Sequence, residues 1–347
     1  MKISEIASLV RDRVSVSEIR PEDYVSTDNM RPNFCGVAQG CSKPATGTVT
    51  AFCEGDILMS NIRPYFRKTW LATRGGGCNA DVLCIRANPE KCAPKYLYYL
   101  FTTDNFVADY LKSCKGAKMP RGDVQRLLNY RFDLPDLPPQ LRIAGVLGSL
   151  DEKIELNRKK IAELEALAGV VYNQLVATNQ CEYSTISAVA TVKTGKQDSN
   201  FSTADGEYRF FTCSKDILWC DKYEFEGKAI LLTGNGDLHV RYFDGKFNAY
   251  QRTYVLQPND ARLFSSIYFA VRAMLIRLAR SASGSIVKFI TKGDVEHIKV
   301  PAFKEQHQKL LNDCLSNVLN IEQEIDALIR IRDKLLPLLM NGQVVVK

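Results

Sequence analysis

The sequence predicts a mixed α/β protein with an internal two-fold pseudo-repeat: two small α/β globules separated by two long helices paired as an antiparallel coiled coil. Three observations predict it. The first is an apolar seam at alternating steps of three and four, through Leu147, Leu150, Ile154, Asn157, Ile161, Leu164, Ala168, Val171 and Leu175. Only Asn157 interrupts it, and charged residues such as Asp151, Glu152, Lys159 and Lys160 fill the remaining faces. The second is an echo of that seam 164 positions later, through Leu311, Cys314, Val318, Ile321, Ile325, Leu328, Arg332, Leu335 and Leu339. The third is a block of strand-like and helix-like runs before the first seam whose order recurs before the second.

In chain order, these observations divide the protein into a globule over 1–138, a helix over 139–178, a second globule over 179–301 and a second helix over 302–347. The first globule opens with Ile3, Ile6, Ala7 and Val10, whose spacing predicts a short helix. A strand is expected at Tyr24–Thr27 and another over Gly55–Ser60. The latter leads into Asn61-Ile62-Arg63-Pro64-Tyr65-Phe66-Arg67-Lys68, a basic and aromatic loop. Gly75-Gly76-Gly77 reads as a turn and Ala80–Ile85 as a strand. Pro94–Leu111 reads as one helix with an aromatic face. A basic loop over Gly116–Val124 then precedes a last strand, and Pro138-Pro139 opens the long helix.

The second globule answers these pieces in order. Gly227–Leu232 matches Gly55–Ser60, Arg252–Leu256 matches the Ala80 strand, and a helix over Ser265–Leu278 matches the Pro94 helix. Arg121-Gly122-Asp123-Val124 aligns with Lys292-Gly293-Asp294-Val295, and each half passes through a glutamine, Gln140 or Gln306, into its long helix. One helix leads out of the first globule and the other leads back, so the helices are expected to run antiparallel with the globules at opposite ends. Leu147 should then approach Leu339, and Leu175 should approach Leu311.

The 347 residues are 46% hydrophobic, enough for two ordinary cores. No run reaches the roughly 18 apolar residues of a membrane span, and the first residues lack an apolar signal core, so the chain is expected in the cytoplasm. Its eleven cysteines are scattered without a Cys-x-x-Cys pair, and its three histidines lie apart from any cysteine pair, which argues against disulfides and zinc. The net charge of +7 is unevenly placed. The globules carry 19 Lys+Arg against 15 Asp+Glu and 16 against 13, while the helical segments balance at 5 against 5 and 6 against 6. Excess positive charge on the globules alone favours a polyanion bound there.

Motifs of catalysis are missing from the sequence. There is no Gly-x-Gly-x-x-Gly after a strand, no Walker lysine, and no acidic or amide residue followed by two prolines and an aromatic, as adenine methyltransferases carry. Asp216 with Glu226-Gly227-Lys228 imitates a nuclease pattern, but the matching Glu54-Gly55-Asp56 lacks the lysine. A stand-alone endonuclease using Asp216, Glu226 and Lys228 is therefore the second reading, and a coiled-coil scaffold without DNA the third. Loops after the repeated strands suit double-stranded DNA better. Lys and Arg neutralise phosphates or pair with guanine, and Asn reads adenine. The candidates are Arg63, Tyr65, Arg67, Lys68, Lys118 and Arg121 in the first globule, and Lys193, Lys196, Arg209, Lys215, Asn235, Arg241, Lys288 and Lys292 in the second.

The chain resembles the specificity (S) subunits of type I restriction-modification enzymes. The resemblance rests on Tyr24-Val25-Ser26-Thr27-Asp28-Asn29-Met30, on Gly55-Asp56-Ile57-Leu58, and on Gln140-x-x-Ile143-Ala144 through Leu150-Asp151-x-x-Ile154. The second-half echo and the ending Leu335-Leu336-x-Leu338-Leu339-x-x-Gly342 extend it over the whole length. It implies two target-recognition domains held apart by two antiparallel helices, in a DNA reader without catalysis or cofactor of its own. It also implies two methyltransferase subunits using S-adenosylmethionine, and restriction subunits using ATP with Mg. The second half matches the early motif only loosely, over Tyr208–Asp216, so the two domains are expected to read different half-sites. A helix of thirty-odd residues, roughly 50 Å long, would set a nonspecific gap of about one half to one helical turn between them.

Overall fold

The structure is a computed structural model and describes residues 1–40, 42–116, 118–178, 181–203, 206–236, 238–281 and 289–346. It comprises two compact units, Met1–Ile154 with Ala327–Lys347, and Glu155–Asp326. Each takes a share of both long helices, Leu137–Thr178 and Glu305–Met340. Every position of both predicted seams is buried or half-buried, as a 3.5-residue period requires of a helix with one covered face.

In the first unit, Ile143, Ala144 and Leu147 share a core with Leu339 and with Tyr96, Leu97 and Leu100 of the helix Pro94–Thr102. In the second, Ala168, Tyr172 and Leu175 share a core with Leu311, Cys314, Leu315 and Val318. Within each unit the later part of one helix therefore meets the earlier part of the other, the antiparallel pairing expected. Polar contacts follow the same sense. Arg332 donates to Asp151 at 2.9 Å in the first unit, and Asn157 donates to Glu324 at 2.8 Å in the second. Asn157, the seam's exception, is fully buried and its Oδ1 has no partner.

The first unit has two four-stranded sheets. One runs in the order Ala7–Leu9, Val82–Ala87, Ile57–Ser60, Thr69–Leu71, and the other Arg13–Ser15, Thr48–Phe52, Gly76–Cys78, Tyr24–Val25. Among the described residues the second unit has a six-stranded sheet in the order Ala190–Thr194, Thr253–Pro258, Phe225–Thr233, Val240–Ala249, Tyr208–Phe211, Leu218–Cys220, and a two-stranded one that pairs Glu182–Thr185 with Lys299–Ala302. These are one topology in two versions. Phe225–Thr233 and Val240–Ala249 run unbroken where the first unit breaks its strands at Cys53–Asp56 and Ala72–Gly75. At the first break Asp56 is buried. It accepts from the Cys53 backbone at 2.8 Å and forms two bonds of 2.7 Å with Arg86. In the second unit Gly245, with φ of 140°, lets one strand bend without stopping.

Several elements differ from the sequence-based expectation. Ile3–Glu5 is a single 3₁₀ turn, and Ala7–Leu9 is an edge strand, since a run this short fits either period. The expected helix over Pro94–Leu111 is two helices that break at Thr103, which caps the second by accepting from the Phe106 amide. The last strand of the first globule is instead a helix, Val124–Asn129, begun by Asp123 accepting from the Gln125 and Arg126 amides. Gly76 and Gly77 lie in a strand rather than a turn. A Cβ on either would come within 2.2 Å of the Asp23 carbonyl or 2.3 Å of the Ile19 side chain. Among the described residues, no helix is long and apolar enough to cross a membrane.

Candidate nucleic-acid interface

A corresponding junction stands at one sheet end in each unit. In the first unit the strand Ile57–Ser60 runs into Asn61, whose amide donates to the Asp81 carbonyl at 2.8 Å and whose carbonyl accepts from Gly122 at 3.1 Å. The Asn61 side chain is fixed by the Tyr110 hydroxyl at 2.7 Å, and Ile62 bridges Arg121. In the second unit the strand Phe225–Thr233 runs into Gly234, whose amide donates to Arg252 at 2.8 Å and whose carbonyl accepts from Ile290 at 2.8 Å. There Asn235 bridges Phe289. Each junction is followed by a short helix, capped by Asp123 or by Thr291. Three loops are thereby tied together at one edge of each globule, where backbone groups hold the loops and leave side chains for a partner.

This pattern corrects two pairings drawn from sequence. Arg121 corresponds to Phe289, not to Lys292, because both occupy the bridged position two residues before the cap. Gln140 corresponds to Gln308, not to Gln306. Gln140 is fully buried, accepts from the Ala93 amide at 2.9 Å and donates to the Lys91 and Pro135 carbonyls. Gln308 is likewise buried and bonds the Ser265 and Ser266 hydroxyls at 2.9 and 2.7 Å, while Gln306 is exposed. Similar short motifs slid by two or three residues in the sequence alignment because the connecting loops differ in length.

Most predicted residues of the first unit gather at its junction. Arg63 is exposed, and its amide donates to the Pro120 carbonyl at 2.8 Å, joining the loop of Arg63, Tyr65, Arg67 and Lys68 to that of Lys118 and Arg121. Tyr65 is exposed with its ring 4.7 Å from that of Phe66. Arg67 pairs with Asp104 at 2.9 Å and Arg121 with Asp81 at 2.8 Å. Lys68 donates to the Thr27 carbonyl at 2.6 Å and lies over the Phe66 ring. Lys118 is exposed.

The second unit is more divided. Of its predicted residues, Arg241 lines a cleft, together with Thr212, Ser214, Asp216, Thr233 and His239. The Arg241 guanidinium donates to the Lys215 carbonyl, and burial pulls it below the usual guanidinium range. Asn235 accepts from the Cys213 thiol at 3.1 Å. Lys193 is exposed on the edge strand, Lys196 pairs with Glu224, and Lys292 pairs with Glu296. Arg209 departs from expectation. Its side chain is 11% exposed, bound to Asp326, 4.0 Å from Glu322 and stacked over Phe243, so it packs the sheet against a helix. Lys288 lies outside the described residues.

The nuclease constellation is not assembled. Asp216 lines the cleft beside Leu231 and Thr233, whereas Glu226 and Lys228 lie toward the other end of that strand, and Lys228 sits over the Phe264 ring. Five residues of strand, from Glu226 to Leu231, span roughly 16 Å. Among the described residues no group of three His, Cys, Asp or Glu could hold a metal ion. Sequence reasoning passed over Phe66, Met119 and Phe289, all well exposed at the junctions. Their signal was an apolar residue inside a basic loop.

The family described as type I restriction modification DNA specificity domain matches this sequence twice, over residues 50–166 and 179–330. The chain belongs to that family. The specificity-family chain is 34% identical over 160 residues to the EcoDI specificity subunit of Escherichia coli, covering 44% of this chain and 36% of that protein. It thus spans about a third of that relative's length. It is 23% identical over 350 residues to the MjaIX specificity subunit of Methanocaldococcus jannaschii, covering 85% of this chain and 79% of that one. In fold it is similar to the type I restriction-modification S subunit of M. genitalium, with a TM-score of 0.62 at 17% identity over 98% of this chain and 95% of the other.

Proposed function

We propose that this specificity-family chain reads double-stranded DNA at a two-part target and is the recognition subunit of a type I restriction-modification complex in the cytoplasm. Each unit reads one half-site with the loops of its junction. Methylation of adenine and cleavage belong to partner subunits: two methyltransferase subunits that bring S-adenosylmethionine, with restriction subunits that bring ATP and Mg. The observation that carries this reading is the repeated junction, Asn61 with Gly122 in one unit and Gly234 with Ile290 in the other. Two platforms of one architecture but different side chains are what reading two different half-sites needs. In the first, Arg63, Tyr65, Arg67, Lys68, Lys118 and Arg121 are the contact residues. In the second they are Lys193, Lys196, Lys215, Asn235, Arg241 and Lys292, with Phe289 at the place of Arg121.

Methylome sequencing of cells with and without the chain tests the reading. The expected result is one interrupted motif, with adenines methylated in both halves, that vanishes on deletion. A purified chain that cleaves DNA with metal, and loses that activity in Lys228→Ala, would overturn it in favour of the nuclease.

A further inference from the structure

One junction loop of the first unit and the loop bonded to it hold the backbone strain of this unit. Among the described residues the non-glycine positions with positive φ are Asn33 at 54°, Phe34 at 59°, Arg63 at 47° and Arg67 at 52°. All four lie in two loops bonded to each other, Asn33 to the Phe66 carbonyl at 2.9 Å and Phe34 to the Arg67 carbonyl at 3.0 Å. Side chains with a Cβ resist this left-handed region, and such positions persist only where the surroundings over-determine them. Here the surroundings are explicit. Arg63 and Arg67 flank the 3₁₀ turn Pro64–Phe66, Pro64 is buried, and the Arg63 amide is tied to Pro120. Lys68 is anchored on Thr27 and Arg67 on Asp104.

What this strain accomplishes is the exposure of two aromatic rings. Tyr65 is 49% and Phe66 41% exposed, and Met119 on the joined loop is 47% exposed. A relaxed turn could fold those rings inward and gain apolar burial, so the strained loop works against packing and keeps them in water on a rigid support. Around them stand Lys68 over the Phe66 ring at 5.7 Å and the exposed Arg63, Lys115 and Lys118. Two acids bonded to these loops, Asp81 and Asp104, are each paired with an arginine. An apolar, π-faced centre with a cationic rim matches a base step flanked by phosphates.

We propose that Tyr65 and Phe66 form a wedge that enters one base step of the half-site read by the first unit and partly unstacks it. This rests on the DNA-reading function proposed above and adds a means of discrimination. The step entered is one that opens readily, as pyrimidine–purine steps do, so sequence is read there through deformability rather than through hydrogen bonds.

The test uses the chain assembled with its methyltransferase partner on duplexes of the methylated motif, with 2-aminopurine placed in turn at each position of the half-site except the methylated adenine and its neighbours, where base flipping would itself raise the signal. The expected result is a severalfold rise in fluorescence at one step on binding. Tyr65→Ala with Phe66→Ala should abolish the rise and weaken binding about tenfold at fixed salt, the order of one lost base–aromatic stack. The slope of affinity against salt should stay unchanged, because no phosphate contact is lost. Tyr65→Trp should keep the rise, which separates loss of the wedge from loss of the loop. Binding with no rise at any position, or a rise undiminished in the double variant, overturns the wedge and leaves DNA reading standing. Failure of the wild-type complex to bind any duplex overturns both.

Discussion

The Asp151 carboxylate accepts from the Tyr99 hydroxyl at 2.6 Å and from the Arg332 guanidinium at 2.9 Å, joining both long helices to the aromatic helix of the first unit. Asp151 and Arg332 are both half-buried, so removing one partner strands the other away from full solvation. Asp151→Ala should cost about 2 kcal/mol, the scale of bonds made to a charged group. Arg332→Leu, which fills the apolar seam instead, should cost less. Urea titration of the two variants and of the pair measures the coupling.

Gln140 makes three bonds in a fully buried position, two of them to backbone carbonyls and one from the first amide region of the helix Pro94–Thr102. Gln140→Leu should cost about 2–3 kcal/mol, because three backbone groups lose partners at about 1 kcal/mol each. Gln308→Leu should be similarly costly, through the Ser265 and Ser266 hydroxyls. Gln306→Ala should be close to neutral. Equal costs at Gln306 and Gln308 in denaturant melts would undo the structural equivalence drawn between the units.

Phe289 stands where the first unit has Arg121, and it is strongly exposed. Phe289→Ala should weaken DNA binding about fivefold to tenfold with little change in its salt dependence, as loss of an aromatic contact does. Lys292→Ala, three residues on, should also weaken binding severalfold but lower the slope of affinity against salt by about one, as loss of a phosphate contact does. Gel shifts at two salt concentrations distinguish these outcomes.

Burial pushes the Cys78 and Cys92 thiols up to about 12. An unfolded thiol titrates near 8.5, so between that pH and about 12 the unfolded chain gives up protons that the folded chain keeps. Stability should therefore fall as pH rises above roughly 8.5, and be unaffected by these thiols below it. In the folded protein at pH 8, a thiol-reactive dye should label the exposed Cys53 promptly and leave Cys78 and Cys92 unlabelled until denaturant is added.

The helical seam was legible because an apolar residue every 3.5 positions has one physical solution, and even Arg332 within it turned out to face inward, toward Asp151. The succession of several strands along the chain was legible through the repeat, but their order within the sheets was not. The side on which a charge lies was not. Arg63 and Arg209 are both arginines within two residues of an aromatic, yet one is exposed and the other bound to Asp326, and what separates them is a tertiary partner over a hundred residues away. Exposed apolar residues were the mirror case. Phe66 was legible as part of a basic and aromatic loop, but its exposure and that of Phe289 were not, because hydrophobicity alone implies burial.

The break at Cys53–Asp56 gives the two units different ways of coming apart. In the first unit, two short sheets meet at a point clasped by Asp56 and Arg86, so loosening that ion pair frees the amides around it while the rest of the unit stays closed. Hydrogen exchange there should report a partial opening, at a free energy below that of full unfolding and made easier by Arg86→Leu. In the second unit, Phe225–Thr233 and Val240–Ala249 run through without a seam, so their central amides should exchange only when the whole sheet is lost. Of two copies of one architecture, the first is jointed and the second is a single plate.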